Sequence, residues 1–339
     1  MKLKVAVNGF GRIGRHVFRA HYGKPDFEIV AINDLFPTKT MAYLLKYDSV
    51  YKKWEHDVTY DDTHIIVDGK PVHYSSIKEL SELPWRDLGI NLVIEATGVF
   101  TKRPDLEKHL ALGPKKVVLT APGKGEGFDL TVVMGCNDDK YDPTKHTIIS
   151  NASCTTNCFA PMVKVIKENF GIVNGLMTTI HAYTATQSVL DVAQKGDDLR
   201  RYRAAALNIS PSSTGAARAI GLVFPEMKGK LDAMAFRVPV PTVSCVDFVC
   251  NLEKPTTVAD VNKAFKAAAE GNLKGILAYV DEQLASTDFI GDSHSCSFDA
   301  PSTLMMGDKM LKTVGWYDNE WGYSHRMVDL VAHIAKKWK

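Results

Sequence analysis

The chain has no stretch approaching the ~18 consecutive apolar residues that a membrane-spanning helix needs. It has little excess of charge: 41 Lys and Arg against 39 Asp and Glu leave a formal net charge of +2. No strong field therefore singles out nucleic acid or a membrane surface as the main partner. Cysteine is sparse, six in 339 residues, too few for a disulfide framework and in keeping with thiols in a reducing compartment. Internal repeats and low-complexity tracts are absent. Met1-Lys2-Leu3-Lys4-Val5-Ala6-Val7 enters a strand pattern directly, without the apolar segment and small-residue cleavage site of a signal peptide. A cytoplasmic location is expected.

What is present is ordinary globular material. At about 150 residues per domain the length suggests two domains. The 45% hydrophobic and 24% charged content is enough to bury a large core without staples.

The first half alternates short apolar runs with helical periodicity. Leu3–Asn8, Phe27–Asn33, Asn91–Ala96, Lys116–Thr120, Thr131–Met134 and His146–Ser150 read as strands. Arg15–His21 and Thr40–Tyr47 read as helices, and Asp68-Gly69 joins His64–Val67 to Lys70–His73 as a hairpin. That alternation predicts a parallel, doubly wound sheet. The character changes after Ser153. Cys154–Asn169 has helical spacing, and the long runs Gly175–Tyr183, Leu231–Pro239 and Thr242–Leu252 predict a mainly antiparallel sheet. Val258–Ala269, Glu282–Leu284 and Asp329–Lys337 read as further helices, and Asp191–Ala206 as a long loop. The expected fold is α/β, a Rossmann-type parallel-sheet domain over residues 1–152 followed by an α+β domain over 153–319. The C-terminal helix, about 320–339, is expected to pack back onto the first domain.

Gly9-x-Gly11-x-x-Gly14 lies directly after a strand and before a helix. The first glycine permits the tight turn, the second lets a pyrophosphate approach the backbone, and the third lets helix and strand pack closely. The phosphates then meet unsatisfied helix N–H groups. Asp34, at the end of the second strand, is where an acid would take hydrogen bonds from the adenosine ribose. The plain alternative is a glycine turn with a solvated aspartate.

The second dense signal is Asn151-Ala152-Ser153-Cys154-Thr155-Thr156-Asn157-Cys158. Small polar residues lead into a helix, so Cys154 lies at its N-terminus. The helix dipole there predicts a lowered thiol pKa. Cys158, one turn later, has no second Cys/His pair at metal spacing and reads as structural, so no metal is expected. Cys136, Cys245, Cys250 and Cys296 read as small buried residues. Among 11 histidines, His181 ends an apolar strand just before a polar loop, where side chains reach a cleft. A lone histidine of this kind is as often structural.

Asn8–Arg15, Ala96-Thr97-Gly98, Ser150–Cys158, His181–Gln187, Ser212–Ala217, Arg237–Pro241 and Trp316–Ser324 together resemble the phosphorylating glyceraldehyde-3-phosphate dehydrogenases, in the same order along nearly the whole chain. The resemblance implies that Cys154 is the nucleophile and that His181 activates it and handles the substrate proton. It implies NAD as cofactor, with contacts from Gly9, Gly11, Arg12, Ile13, Gly14, Asp34, Thr97, Thr120, Asn319 and Tyr323, and with Lys78 near the adenine where relatives carry Arg. It places Thr184 and Arg237 at the substrate phosphate, and Ser153, Thr155, Thr214 and Gly215 at inorganic phosphate. Arg203 or Arg201 is expected to join them, Arg203 being preferred. The partners implied are glyceraldehyde 3-phosphate, inorganic phosphate and three further copies in a homotetramer. No membrane partner is expected, and nucleic acid is not the primary one. Ala193 stands where NAD-specific relatives often have Pro, and the nearby Lys195 would attract a 2′-phosphate. Erythrose 4-phosphate as substrate, or dual use of NAD and NADP, is the alternative.

Overall fold

The computed structural model describes residues 2–193 and 198–338. Gln194, Lys195, Gly196 and Asp197 lie outside the described residues, and the expectation for Lys195 with them. The chain divides into two compact units, one of Met1–Val132, Asp138–Ser153 and Ser324–Lys339, the other of Val133–Asn137 and Cys154–Tyr323.

In the first unit, β1 (Leu3–Asn8), β2 (Phe27–Asn33), β3 (Val58–Tyr60), β4 (His64–Val67), β5 (Lys70–Ser75), β6 (Leu92–Glu95), β7 (Lys116–Leu119), β8 (Leu130–Thr131) and β9 (Ile148–Ser150) form one sheet. Its order is β8-β9-β7-β6-β1-β2-β5-β4-β3. β1 pairs in parallel with both β2 and β6, and only the β3-β4-β5 edge is antiparallel. Val5, Val7, Leu92, Ile94, Val117 and Leu119 are fully buried, as expected of parallel strands covered on both faces. The β4–β5 hairpin turns through Asp68 and Gly69, both at positive φ, the backbone that an Asp-Gly turn supplies. Two helices begin earlier than their periodicity indicated, α1 at Arg12 (Arg12–His21) and α2 at Thr38 (Thr38–Lys46). A third, α3 (Arg103–Ala111), has little amphipathic contrast and gave no signal in the sequence.

In the second unit, α4 (Cys154–Asn169) has the bounds its spacing predicted. The sheet contains β10 (Ile172–Ala182), β11 (Ser210–Ser213), β12 (Leu231–Val238), β13 (Ser244–Leu252), β14 (Leu277–Val280), β15 (Cys296–Asp299), β16 (Leu304–Met306) and β17 (Met310–Tyr317). Its order is β11-β12-β10-β13-β17-β15-β14, with β16 on β17. Most ladders are antiparallel, while β10 runs parallel to β12 and β14 to β15. One face carries α4, where Phe159 meets Phe248 edge to face at 4.8 Å, and α6 (Val258–Glu270), where Phe265 stacks on Phe298 at 3.7 Å. The opposite face exposes Val173, Leu176, Met234 and Met310. A short helix, α5 (Ala216–Val223), was missed in the sequence. Glu282–Leu284 is not helical; one turn of 3-10 helix follows at Ser286–Phe289. The last helix, α7 (Trp321–Lys336), matches the helix expected at about 320–339, although its amphipathic spacing is plain only from Asp329. Asp318 starts it by accepting the Trp321 N–H at 2.9 Å, an end-capping bond that apolar spacing does not reveal.

Candidate active site

In the first unit the glycine loop has the geometry its spacing requires. Gly9 has φ +91°, and a Cβ there would lie 2.5 Å from the Thr97 nitrogen. A Cβ at Gly14 would lie 2.2 Å from the Gly9 oxygen. Gly11, the residue before α1, faces open space. The loop and the strand ends enclose a cleft of about 330 Å³ whose wall includes Gly9, Gly11, Asp34, Lys78 and Thr97. Leu35, Phe36 and Val99 line it with large exposed apolar surface. Asp34 is locked at the end of β2: its carboxylate accepts the Phe10 N–H at 2.7 Å and the Phe36 N–H at 3.3 Å. An open helix N-terminus, a fixed carboxylate and an apolar slot match the phosphates, ribose and adenine of a dinucleotide. Arg12, the first residue of α1, turns its guanidinium to Asp48 at 3.0 Å. Ile13 lies within the first turn of α1. Thr120 donates its N–H to the Glu95 carbonyl at 3.0 Å, next to the cleft wall.

In the second unit Cys154 is the first residue of α4. Ala152, two residues before it, holds a left-handed φ of 55°, a conformation that costs a non-glycine residue roughly 1 kcal/mol or more. Alternation along β10 puts Met177, Thr179 and His181 on the helix-covered face. The Cys154 Sγ lies 3.4 Å from the His181 Nε2. Arg237 is the partner of His181 across the parallel β10–β12 ladder. Its Nη1 donates to the Ala182 carbonyl at 2.9 Å and lies 2.7 Å from the His181 Nδ1. Nδ1 also lies 2.7 Å from that carbonyl, and Nε2 is the ring nitrogen that faces the thiol.

The electrostatics correct one expectation. Burial pushes the Cys154 thiol up; the Arg237 charge, the Thr155 hydroxyl and the backbone N–H groups of Thr155 and Cys154 pull it down but do not offset burial. The helix end works against desolvation rather than dominating it. Burial, and then Arg237, lower His181 to about 3, so the resting imidazole is neutral.

Tyr317 was not singled out in the sequence, although it lies inside the Trp316–Ser324 block. Its hydroxyl bridges Thr155 Oγ1 at 3.0 Å and Thr179 Oγ1 at 2.8 Å, and its ring stands edge-on to His181. Arg203 and Arg201 have different partners. Arg203 turns away to Asp191 at 2.7 Å, both side chains being exposed. Arg201 instead donates to Ser212 Oγ at 2.8 Å and lies close enough to Arg237 to lower it electrostatically. Thr184 bonds Thr186 Oγ1 at 2.9 Å. Thr214 Oγ1 accepts the Ala216 N–H at 3.3 Å, and Gly215 directly precedes α5 with open space beside it. Asn319 accepts the Ser244 hydroxyl at 3.1 Å, which leaves its amide nitrogen as a donor. Ser153 directly precedes α4, and Tyr323 is buried in the first turn of α7. Among the described residues no group of three or more His, Cys, Asp or Glu side chains is placed to hold a metal ion.

A nucleotide-binding α/β unit and a unit presenting a cysteine–histidine pair beside arginines are the parts of an NAD-dependent oxidoreductase acting on an aldehyde. Residues 3–103 match the NAD-binding domain, and residues 153–319 the C-terminal domain, of glyceraldehyde 3-phosphate dehydrogenase. The chain is 56% identical over 337 residues to the glyceraldehyde-3-phosphate dehydrogenase of Geobacillus stearothermophilus, covering 99% of each. It is 54% identical over 339 residues to that of Streptomyces coelicolor, covering 99% of this chain and all of the relative. It is 52% identical over 337 residues to glyceraldehyde-3-phosphate dehydrogenase 1 of Bacillus subtilis, covering 99% of each. The chain belongs to the glyceraldehyde 3-phosphate dehydrogenase family, and its coenzyme is NAD.

Proposed function

We propose that this chain oxidises glyceraldehyde 3-phosphate to 1,3-bisphosphoglycerate, with NAD and inorganic phosphate, through a thioester on Cys154. The observation that carries the reading is the 3.4 Å approach of Cys154 Sγ to His181 Nε2. The Cys154 sulfur attacks the aldehyde carbon, and His181 Nε2 takes the proton released as the hemithioacetal forms and is oxidised. The Cys154 N–H supplies a donor to the developing oxyanion. Bound NAD supplies the hydride acceptor. Asp34 orients the adenosine ribose, and Asn319 the carboxamide. The acyl group stays on sulfur until a phosphate oxygen attacks the carbonyl carbon and the thiolate leaves. Arg237 and Thr184 hold the substrate phosphate; Ser153, Thr155, Thr214 and Gly215 hold the attacking phosphate; Arg201 serves beside them. A planar guanidinium suits such anions.

Residues 1–152 with the last helix serve as the coenzyme domain, and 153–319 as the catalytic domain. The uncovered apolar face carrying Leu176 and Met310 supports assembly into a homotetramer. Six cysteines, none in a disulfide, support a cytoplasmic location. The test is reduction of NAD and of NADP by glyceraldehyde 3-phosphate, with and without phosphate. Sustained turnover only with phosphate is expected. Turnover at the same rate without phosphate, or with erythrose 4-phosphate as the better substrate, contradicts the reading.

A further inference from the structure

The last residues of β1, β2 and β6 are Asn8, Asn33 and Glu95, and all three are buried. Their side chains form one hydrogen-bonded row beneath the glycine loop. Glu95 is fully buried and takes every donor around it. One oxygen accepts Asn8 Nδ2 at 2.7 Å and His109 Nε2 at 3.1 Å. The other accepts the Thr97 N–H at 2.8 Å and the Thr97 hydroxyl.

The proton positions along this row are forced. Trp85 Nε1, which can only donate, lies 3.0 Å from His109 Nδ1. His109 Nδ1 is therefore the acceptor, and the neutral ring carries its proton on Nε2, toward Glu95. At the other end, Asn33 Oδ1 accepts the Ile77 N–H at 2.9 Å, so Asn33 Nδ2 donates to Asn8 Oδ1 at 2.9 Å. Asn8 then has only its Nδ2 to offer Glu95. Three of the four groups facing Glu95 cannot accept in return. Both Glu95 oxygens must therefore accept: one from Asn8 and His109, the other from the Thr97 N–H.

This row ends on the coenzyme cleft. Asn8, Asn33 and Thr97 line it, and the Thr97 backbone fills the space that a side chain at Gly9 would need. We propose that Glu95 is a positioning residue for the coenzyme: through Asn8 and Thr97 it holds the glycine loop and the Thr97-Gly98-Val99 turn at the spacing that NAD requires. Glu95 does not touch the ligand, and the inference rests on the reading of this cleft as the NAD site.

Glu95→Gln keeps size and shape but puts an amide N–H against either the Thr97 N–H or the Asn8 and His109 donors. It is expected to raise the Kd for NAD by at least about tenfold. The rise in Tm produced by saturating NAD should shrink, while kcat at saturating NAD stays within about twofold of the parent. A second pair lies outside the cleft: His109→Gln retains a donor for Glu95 and should bind NAD within about threefold of the parent, whereas His109→Leu should bind more weakly than His109→Gln by at least fivefold. If Glu95→Gln fails to fold, the His109 pair decides. A lower Tm with unchanged Kd and an undiminished NAD-induced shift would overturn the inference, as would equal Kd values for the two His109 variants. Failure of the parent protein to bind NAD would instead overturn the reading of the cleft.

Discussion

The Nη1 of Arg237 lies 2.7 Å from the Nδ1 of His181, on the side of the ring away from Cys154. One partly buried cation thus acts on both partners of the pair. It disfavours protonation of the imidazole, and it is the largest influence favouring the thiolate against burial. Removing it as Arg237→Leu should raise the Cys154 pKa. At neutral pH less of the thiol is then ionised, and alkylation by iodoacetamide should slow by roughly tenfold for each pH unit that the thiol moves up. The full pH profile of alkylation checks this; a profile that stays in place or moves to lower pH would contradict it.

His181 acts differently. With its pKa lowered to about 3 it is neutral and stabilises no thiolate by charge; the role proposed for it is to accept a proton at Nε2. Replacing it by Asn should slow aldehyde oxidation by roughly 10²–10⁴. The alkylation profile of Cys154 should move less than in Arg237→Leu. Pre-steady-state NADH formation and alkylation, measured on the same two variants, separate the roles. An unchanged rate would make the histidine purely structural.

Asp34 is expected to set the choice of coenzyme. Its carboxylate is fixed by the Phe10 and Phe36 N–H groups, so it cannot swing away from a 2′-phosphate. Like charges at contact cost several kcal/mol, and each ~1.36 kcal/mol is tenfold. NAD should be favoured over NADP by at least about a hundredfold in kcat/KM. Asp34→Ala should erode the preference more than Ala193→Pro raises it. Comparable kcat/KM for the two coenzymes in the parent would reverse that weighting.

His21 gives a pH dependence to stability. It is buried, its Nε2 donates to the Phe27 carbonyl at 3.0 Å, and its ring stacks on Phe27 at 3.7 Å. Burial chiefly lowers it from 6.5 to about 4. Between those values the unfolded chain binds the extra proton and the folded chain does not, so stability rises with pH there and is lost as pH falls. The full difference is about 3 kcal/mol, reached below pH 4. His21→Gln keeps a donor for the carbonyl and removes the titration. Its Tm should fall less between pH 7 and pH 5 than that of the parent; an identical fall would place the acid sensitivity elsewhere.

Much of this arrangement was legible in the residues. The Gly9–Gly14 loop, Asp34 and α4 carry local signals: a strand-to-helix switch, an acid at a strand end, small polar residues before an apolar helix. What stayed hidden depends on contacts distant in sequence. The different partners of Arg201 and Arg203, Ser212 and Asp191, follow from no periodicity. Tyr317 meets Thr155 only once β10, β17 and α4 have assembled. Glu95 reads as the end of an apolar strand, and its role appears only when Asn8, Thr97 and His109 surround it. The helix dipole at Cys154 has the expected sign but not the expected weight, because burial cannot be read from one segment.

Covalent use of Cys154 is the central claim. The decisive measurement mixes the enzyme with excess glyceraldehyde 3-phosphate and NAD without phosphate, and follows NADH formation together with the mass of the Cys154 peptide after acid quench. The predicted result is a burst of about one NADH per active site and a 3-phosphoglyceryl adduct on Cys154, released when inorganic phosphate is added. The Cys154→Ser variant should bind NAD and give neither signal. A full burst with Cys154 unmodified, or a burst retained in Cys154→Ser, would contradict it.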